Sequence, residues 1–256
     1  MQTNLLSLEN QTVIVTGGSR GLGLGVVEAL VARGAQVAVL ARDARRLDEL
    51  RERLGVRVIA GDAGDAALAE RLVRELAPDV LVLNAGATPT MAPLHEQTWE
   101  TFSTNWSQDV KSAFHWLQAA LRTPLRRGSR VLVGSSGAAV GGSPLSGSYA
   151  GAKRMLWLMS NYAHGVAAGL DLGISFQALV PQQIVGATDL GRAAAEAYAR
   201  RKGVTTEAFL AGFGVPLTPA LYGSQVATIL TDPQYQSAAA LGLKGDGIRK
   251  LEERVA

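Results

Sequence analysis

The sequence contains no cysteine, few aromatic residues and no long apolar run. The absence of cysteine from all 256 residues excludes disulfides, thiolate catalysis and zinc sites built on sulfur, and it suits a reducing compartment. Aromatic residues make up 5% and charged residues 18% of the chain, whereas hydrophobic residues reach 47%. This composition excludes a disordered chain and is sufficient for a continuous core, so we expect one compact domain over residues 1–256.

Charge and apolar patterning exclude further classes of partner. The 25 Lys and Arg against 22 Asp and Glu leave a net charge of +3, and the basic residues are scattered, which argues against nucleic acid. The start of the sequence lacks a basic region followed by an apolar core, and the chain has no apolar run long enough for a membrane helix. We expect a cytoplasmic protein without a membrane partner. His95, His115 and His164 lack the spacing of metal ligands, so no metal site is predicted.

Short apolar segments alternate with longer segments of helical periodicity, which is the pattern of a parallel α/β sheet. The predicted strands are 13–15, 36–40, 56–60, 80–83, 130–134, 174–180 and approximately 237–243. Helices are predicted after the first strand up to Gly34, around Leu47 to Gly55, and at 65–76, 99–121, 149–168, 189–202 and 219–231.

A glycine-rich loop joins the first predicted strand to the first predicted helix. It reads TGGSRGLG over residues 16–23. Glycines let the backbone turn sharply and approach a pyrophosphate, whose charge is stabilised by free N–H groups and the positive end of the helix. Because the loop follows a strand and opens a helix, we favour a nucleotide site over a glycine-rich turn without a ligand. The predicted cofactor contacts in this loop are Gly17, Ser19, Arg20, Gly21, Leu22 and Gly23.

The end of the second predicted strand favours a phosphorylated cofactor. An acidic side chain near Ala41 would hold a ribose 2′-hydroxyl, but the chain has no carboxylate there. Arg42 follows instead, and Arg20 lies in the glycine loop, so two guanidinium groups can converge on a 2′-phosphate. The sequence therefore predicts NADPH or NADP+ rather than NADH. A shift of register that brought Asp43 to this place would weaken the assignment.

Two further segments follow strands at the same predicted edge of the sheet. Gly61-Asp62-Ala63 comes after the third strand, and Asn84-Ala85-Gly86 comes after the fourth. In an open parallel sheet the ligand crevice forms at the carboxyl ends of the strands. We therefore predict that Asp62 and Ala63, together with 84–86, line the path of adenine and nicotinamide. A helix N-cap at Asp62 and a purely structural turn at 84–86 are the alternatives.

These motifs, together with Tyr149-Ala150-Gly151-Ala152-Lys153, resemble the short-chain dehydrogenase/reductase family in its compact single-domain branch. The resemblance extends from about residue 8 to about residue 245. It implies a Rossmann-type, doubly wound parallel sheet of about seven strands with helices on both faces. It also implies an NAD(P)(H) cofactor and assembly as a homodimer or homotetramer.

The chemistry can be argued from the side chains themselves. Tyr149 and Lys153 lie four residues apart, so on a helix they share one face. A free tyrosine has a pKa of about 10, and a nearby ammonium favours the phenolate, so Tyr149 can act as an acid or base near neutrality. Ser136 has the family's spacing before Tyr149 and is predicted to hold the substrate oxygen, whereas Ser135 has the same chemistry at the wrong spacing. The resemblance also implies that Lys153 binds the nicotinamide ribose.

One catalytic position departs from the family pattern. Many members carry an Asn in the helix before the fifth strand, where it supports a water chain to the Lys. Alignment of Phe102 and Phe114 with the family's aromatic positions puts Asp109 there, and Asn105 lies one turn earlier. We favour Asp109, whose carboxylate would stabilise the ammonium of Lys153 and change the proton relay. A polar residue on a half-exposed helix is the alternative.

The segment after the sixth strand departs as well. The family usually reads Pro-Gly and then a Thr, whereas here Pro181 is followed by Gln182. We predict that Pro181, Ile184 and Thr188 contact the cofactor. Ile184 or its neighbours would reach the carboxamide through backbone groups, and Thr188 would contact the phosphates.

The sequence thus predicts an NADPH-preferring oxidoreductase that interconverts a small-molecule carbonyl and a secondary alcohol by hydride transfer. The spacing of Tyr149 and Lys153 and the short chain after residue 180 argue against an enoyl reductase and a sugar-nucleotide epimerase. A cofactor-sensing binding protein without turnover stays open, because Asp109 and Gln182 depart from the family pattern.

Residues 186–216 are predicted to form a mobile lid over the substrate. The segment follows a strand end at the crevice and exceeds the usual connection of about 4–6 residues. Phe209, Leu210 and Phe213 recur at helical spacing and would close an apolar pocket suited to a hydrophobic or aromatic carbonyl rather than a sugar. Packing of these three side chains on the core is the alternative.

Overall fold

The computed structural model describes residues 6–251, which contain eight strands in one sheet. The strands are β1 (Thr12–Thr16), β2 (Gln36–Ala41), β3 (Arg57–Ala60), β4 (Val80–Leu83), β5 (Arg130–Gly134), β6 (Ser175–Pro181), β7 (Ala240–Lys244) and β8 (Gly247–Leu251). Their order is β3-β2-β1-β4-β5-β6-β7-β8. The chain reverses its direction of winding between β1 and β4, which is where a doubly wound sheet forms its ligand crevice. The predicted Rossmann-type fold is confirmed.

Helices cover both faces of this sheet. Over the described residues they are α1 (Gly21–Val31), α2 (Ala44–Leu54), α3 (Ala66–Leu76), α4 (Trp99–Asn105), α5 (Lys111–Arg122), α6 (Ala138–Gly141), α7 (Tyr149–Gly169), α8 (Asp189–Lys202), α9 (Thr206–Ala211) and α10 (Pro219–Thr231). Short 3₁₀ turns occur at Leu94–Glu96 and Pro233–Tyr235. None of the helices within 6–251 is long and apolar enough to cross a membrane.

The alternation of side chains along each strand separates two hydrophobic cores. In β1, Val13 and Val15 belong to the core beneath α1 and α10, whereas Ile14 belongs to the core beneath α3, α5 and α7. Both faces of the strand are therefore buried. This double burial explains why the strands of the sequence are continuous apolar runs rather than alternating ones.

Helices α1 and α10 cross in direct backbone contact. A Cβ atom at Gly25 would lie 1.9 Å from the carbonyl oxygen of Pro219, and a Cβ at Gly223 would lie 1.9 Å from that of Gly25. Both glycines are therefore required for the approach of the helices. The contact fixes the first turns of α10 against the helix that follows the glycine-rich loop.

The structure differs from the sequence predictions in three places. An eighth strand, β8, pairs antiparallel with β7 and was not predicted. The predicted strand 237–243 begins later, at Ala240. The predicted helix 99–121 is not regular, because a π-helical turn, Trp106–Val110, joins α4 to α5. A π turn adds a residue to the local winding and so changes which side chains face inward.

Candidate active site

A cleft of about 590 Å³ lies along the carboxyl ends of β1, β2, β4 and β5. Most of the predicted site residues line it: Gly17, Ser19, Arg20, Gly21, Leu22, Arg42, Asp62, Ala63, Asn84, Ala85, Gly86, Asp109, Tyr149, Lys153, Pro181 and Thr188. Gly23, Ser136 and Ile184 are not part of its lining. The motifs that are separated in the sequence are thus brought together at one sheet edge.

The glycine-rich loop presents an open helix end to this cleft. Gly17 and Gly21 have φ angles of +67° and +57°, the left-handed region that favours glycine. A Cβ at Gly23 would lie 2.2 Å from the carbonyl oxygen of Gly17, so this position also requires glycine. Helix α1 has neither a side-chain cap at Arg20 nor an acidic residue in its first turn. Its first N–H groups are therefore available to an anion, which fits the pyrophosphate of a dinucleotide.

Thr16 ties the glycine-rich loop to the segment after β4. Its Oγ1 accepts hydrogen bonds from the backbone N–H groups of Asn84 and Ala85, each at 3.1 Å. Asn84 Nδ2 in turn donates to the carbonyl oxygen of Gly17 at 3.3 Å. The two predicted motifs therefore form one hydrogen-bonded wall of the cleft.

Asp62 and Ala63 lie at the end of the cleft beyond β3. Asp62 Oδ1 accepts from the backbone N–H of Gly64 at 2.8 Å, and the carbonyl oxygen of Ala63 accepts from Trp116 Nε1 at 3.0 Å. The alternative of a helix N-cap at Asp62 is wrong, because Asp65 caps α3. Asp62 lines the cleft, and its carboxylate could accept a further hydrogen bond from a bound ligand.

The two arginines predicted for a 2′-phosphate have different partners. Arg42 is exposed at the cleft and forms no ion pair with any residue of 6–251. Asp43 caps α2 by accepting from the backbone N–H of Arg46 at 3.1 Å. Arg20 Nη1 lies 2.8 Å from Oδ2 of Asp189, the first residue of α8. Arg46 also lines the cleft and pairs with Asp43 at 3.2 Å, and Arg20 is shared with α8, so Arg42 is the lining arginine without an ion-pair partner in residues 6–251.

Asp109 and Lys153 form a buried ion pair at the base of the cleft. Lys153 Nζ lies 3.1 Å from Asp109 Oδ2 and donates to the carbonyl oxygen of Gly134 at 3.3 Å. Asp109 Oδ1 accepts from the backbone N–H of Ala87 at 2.7 Å. Asn105, one turn before Asp109, donates from Nδ2 to the carbonyl oxygen of Ala87 at 2.8 Å and to Oδ1 of Asp109 at 3.4 Å. The structure thus places Asp109, rather than Asn105, beside the ammonium, and the π turn directs it inward.

The surroundings of Lys153 favour its charged form. Burial by itself disfavours the ammonium, but the charge of Asp109, the electrostatic interaction with Tyr149 and the hydrogen bond to Asp109 outweigh it, so the pKa of Lys153 lies above its ordinary value. Lys153 Nζ also lies 5.5 Å from the centre of the Tyr149 ring. Tyr149 is half-buried and lines the cleft. An ammonium whose charged form is favoured therefore lies beside the phenol that faces the cleft.

The two serines after β5 have different surroundings. Ser135 Oγ is buried and donates to the backbone carbonyl of Lys153 at 2.7 Å, which ties β5 to α7. Ser136 Oγ accepts from the backbone N–H of Ala138 at 3.2 Å. Ser135 is therefore engaged structurally, and the Ser136 hydroxyl keeps its own proton available for donation.

The segment after β6 is held by the side chain of Gln183. Gln183 Nε2 donates to the carbonyl oxygens of Phe213 and Val215, and its Oε1 accepts from the backbone N–H of Gly245. Thr188 caps α8 by accepting from the backbone N–H of Gly191 at 3.0 Å. Pro181 and Thr188 reach the cleft as predicted, whereas Ile184 does not line it.

The three side chains predicted to close an apolar pocket pack within the segment itself. Phe209 stacks on Tyr198 with ring centres 6.2 Å apart, and Phe213 meets Phe209 edge-on at 5.5 Å. None of Phe209, Leu210 and Phe213 lines the cleft in the described residues. The hydroxyl of Tyr198 is 2.7 Å from Ser143 Oγ, so α8 is latched to the loop before α7.

Sequence reasoning did not identify several cleft residues. Tyr222 of α10 lines the cleft, as do Asp189 and Gln108. Within residues 6–251 no group of three or more His, Cys, Asp or Glu side chains is arranged to hold a metal ion. The position of Tyr222 depends on the crossing of α1 and α10, which no local sequence pattern encodes. Asp189 had a local signal, since it follows the Thr cap of a predicted helix.

Comparison with known proteins supports the same family as the sequence motifs. The family model described as short chain dehydrogenase matches residues 11–201. Sorbitol dehydrogenase of Cereibacter sphaeroides is 30% identical over 193 residues, which cover 71% of this chain and 73% of that protein. Human L-xylulose reductase is 33% identical over 124 residues, which cover 48% of this chain and 51% of that protein, so this match spans only about half of the relative.

A solved structure shares the fold. The Pseudomonas aeruginosa RhlG/NADP active-site complex superposes with a TM-score of 0.77 and covers 96% of this chain and 98% of that chain. Its sequence identity is 22%, so the similarity concerns the architecture.

Proposed function

Because the chain belongs to the short-chain dehydrogenase family, we propose that it is an NADPH-dependent oxidoreductase that interconverts a carbonyl and a secondary alcohol. One observation carries this proposal. The cleft that contains the uncapped end of α1 also contains Tyr149 and Lys153, so a dinucleotide bound at α1 reaches the phenol and ammonium at its other end.

The cofactor supplies the hydride, and the chain supplies the proton and the orientation. Tyr149 transfers the proton to or from the substrate oxygen, and the Lys153 ammonium stabilises the phenolate while it binds the nicotinamide ribose. Ser136 does not line the cleft itself, but it directly follows Gly134 and Ser135, which do, and we assign to it the hydrogen bond to the substrate oxygen. The hydrogen bond that its Oγ accepts from Ala138 supports this role, since it leaves the hydroxyl proton free.

Asp109 acts as a positioning residue through Lys153. Its carboxylate is fixed by the backbone N–H of Ala87 and pairs with the ammonium in a buried place, so it holds both the charge and the direction of Lys153. An Asn at this position would supply only a dipole. Asp109 thus replaces the family's usual Asn by a charged partner. This replacement stabilises the charged form of Lys153, and the lysine itself is retained.

The preference for NADPH rests on Arg42 and Arg20. Arg42 is exposed at the cleft and lacks an ion-pair partner in residues 6–251, and Asp43 is occupied as a helix cap. Arg20 lies on the same rim but contacts Asp189. Because that ion pair is exposed and weak, a 2′-phosphate would compete with Asp189 for Arg20.

The substrate is a small-molecule carbonyl or alcohol, and residues 186–216 form its lid. The hydrogen bond between the Tyr198 hydroxyl and Ser143 Oγ supports this role, because it holds α8 against the loop that precedes Tyr149. Assembly as a homodimer or homotetramer and a cytoplasmic location stay predictions, to be tested by light scattering and by cell fractionation.

The test is whether purified protein oxidises NADPH in the presence of a panel of aliphatic, aromatic and sugar carbonyls. Turnover with at least one carbonyl supports the oxidoreductase. Tight NADPH binding without turnover on any carbonyl or alcohol would instead favour the cofactor-sensing alternative, and the absence of NADPH and NADH binding would contradict both.

A further inference from the structure

Tyr222 is a buried phenol that the chemistry proposed above does not use. The residue is only 1% exposed, and its ring packs in the hydrophobic core beneath α1 and α10. It nevertheless belongs to the lining of the main cleft. A tyrosine enclosed in an apolar core normally finds a hydrogen-bond partner for its hydroxyl.

The Tyr222 hydroxyl has no such partner in the part of the chain that the structure describes. It is also not among the fully enclosed unpartnered side-chain atoms of residues 6–251, which are Gln97 Oε1, Arg130 Nε, Trp157 Nε1, Ser160 Oγ and Gln225 Oε1. The oxygen therefore keeps contact with the cleft while the ring is enclosed. A ligand in the cleft is the available partner.

The position of this hydroxyl is fixed by the backbone. Gly223, the next residue, packs against Gly25 of α1 at a distance that excludes any side chain, so α10 cannot slide or rotate at this point. The ring of Tyr222 is thereby held against the helix that begins at the glycine-rich loop. A rigid, preorganised donor loses little freedom when a ligand binds.

The hydroxyl lies at the reacting end of the cleft. Gln225, one turn after Tyr222 on α10, donates from Nε2 to the carbonyl oxygen of Lys244 at the end of β7. Asp62 and Ala63 follow β3, on the other side of β1 in the sheet. Burial, with a further contribution from Tyr149, raises the pKa of Tyr222 well above its ordinary value. The group therefore stays a neutral hydrogen-bond donor.

Ile184, one of the residues predicted to contact the nicotinamide carboxamide, lies outside the cleft lining. The backbone N–H of Gln182 donates to the carbonyl oxygen of Leu243, and the side chain of Gln183 bonds to Phe213, Val215 and Gly245, so neither group is directed to the cleft. A carboxamide oxygen is an acceptor that suits a neutral phenol donor.

We propose that Tyr222 is a cofactor-positioning residue, whose hydroxyl donates a hydrogen bond to the carboxamide of the nicotinamide ring. This inference rests on the proposed function, since it requires a nicotinamide dinucleotide in the cleft. This hydrogen bond would fix the rotation of the nicotinamide ring and so determine which edge of that ring faces Tyr149.

The experiment compares wild type with Tyr222→Phe, which removes the hydroxyl and keeps the ring. Affinity is measured by calorimetry for three probes: NADPH, 2′-phospho-ADP-ribose, which lacks nicotinamide, and 2′,5′-ADP, which lacks the nicotinamide half. We expect NADPH affinity to fall about five- to tenfold, as for one lost neutral hydrogen bond, with no change for the other two probes. Tyr235→Phe is the matched control, because Tyr235 packs at the same core but does not line the cleft.

Three outcomes would overturn the proposal. An equal loss for NADPH and 2′-phospho-ADP-ribose would place the hydroxyl at the phosphates or ribose, and an equal loss for all three would indicate a general change in the fold. Unchanged NADPH affinity would show that the hydroxyl has no cofactor partner. Tyr222→Met, a second variant without the hydroxyl, decides the matter if the Phe variant is unstable. Failure of wild type to bind NADPH is a separate result, which contradicts the proposed function itself.

Discussion

Lys153 Nζ and Asp109 Oδ2 are 3.1 Å apart, with side chains only 9% and 0% exposed. This ion pair depends on two elements: the π turn directs Asp109 inward, and helix α7 carries Lys153 one turn beyond Tyr149. Because the Lys153 ammonium forms a buried ion pair with the Asp109 carboxylate, the charge state of Lys153 depends on Asp109 as well as on solvent. Two predictions concern this pair.

Asp109→Asn is expected to lower the pKa of Lys153. The charged groups that act on the ammonium are Asp109 and Tyr149, and removal of the carboxylate leaves the desolvation that disfavours the charged form. Because a raised pKa keeps the ammonium to higher pH, the variant should lose NADPH affinity at a lower alkaline pH than wild type. Fluorescence titration across the alkaline range measures this. Asp246→Asn, at an exposed carboxylate, is the control, and coincident alkaline limbs would contradict the assignment.

Lys153→Met should destabilise the fold more than the double variant Asp109→Asn/Lys153→Met. Removal of one partner leaves a buried, uncompensated carboxylate, which costs about 3–5 kcal/mol, whereas removal of both charges avoids that cost. Urea unfolding of both single variants and the double variant gives the coupling energy. If the effect of the double variant equalled the sum of the two single effects, the pair would not be energetically coupled.

Arg42→Asp is expected to weaken NADPH binding by about 1.5–3 kcal/mol and to favour NADH in relative terms, because a charge-assisted contact is lost. Arg45→Asp is the matched control. It makes the same charge change in the same region, but Arg45 pairs with Glu49 and does not line the cleft. Equal effects of the two variants would indicate a general electrostatic influence and no contact between Arg42 and the phosphate.

The lid hypothesis predicts a change in hydrogen exchange. With NADPH and substrate bound, amides between residues 186 and 216 should gain protection, because α8 and α9 order over the cleft. Tyr198→Phe breaks the latch to Ser143 and should reduce that gain. If protection appeared only in the glycine-rich loop, specificity would have to be sought in residues 87–98 and 137–148.

The fold was predictable from the sequence because its signals are local. The apolar runs of β1 and β4, the glycines of residues 16–23 and the pair Tyr149 and Lys153 each act within a few residues of chain. Alignment of aromatic positions was enough to select Asp109. Strand β8 gave no comparable signal, since it is short, carries Arg249 and Lys250, and exists only through its pairing with β7.

The features that escaped prediction depend on tertiary contacts. The π turn at Trp106–Val110 places Asp109 against Lys153, a residue of another helix. Tyr222 enters the cleft because Gly25 and Gly223 let two distant helices touch. The contact between Arg20 and Asp189 likewise joins residues far apart in the chain. Local propensity carries no information on such pairs.

The central claim is that Tyr149 transfers the proton in a carbonyl–alcohol interconversion that uses NADPH. The most direct measurement is the turnover number of Tyr149→Phe beside wild type, on a carbonyl that wild type reduces, with NADPH affinity and melting temperature measured on the same samples. The account predicts a fall in turnover of about 100-fold or more, with the fold and NADPH binding retained, because only the phenolic hydroxyl is removed. Full activity of Tyr149→Phe would contradict it.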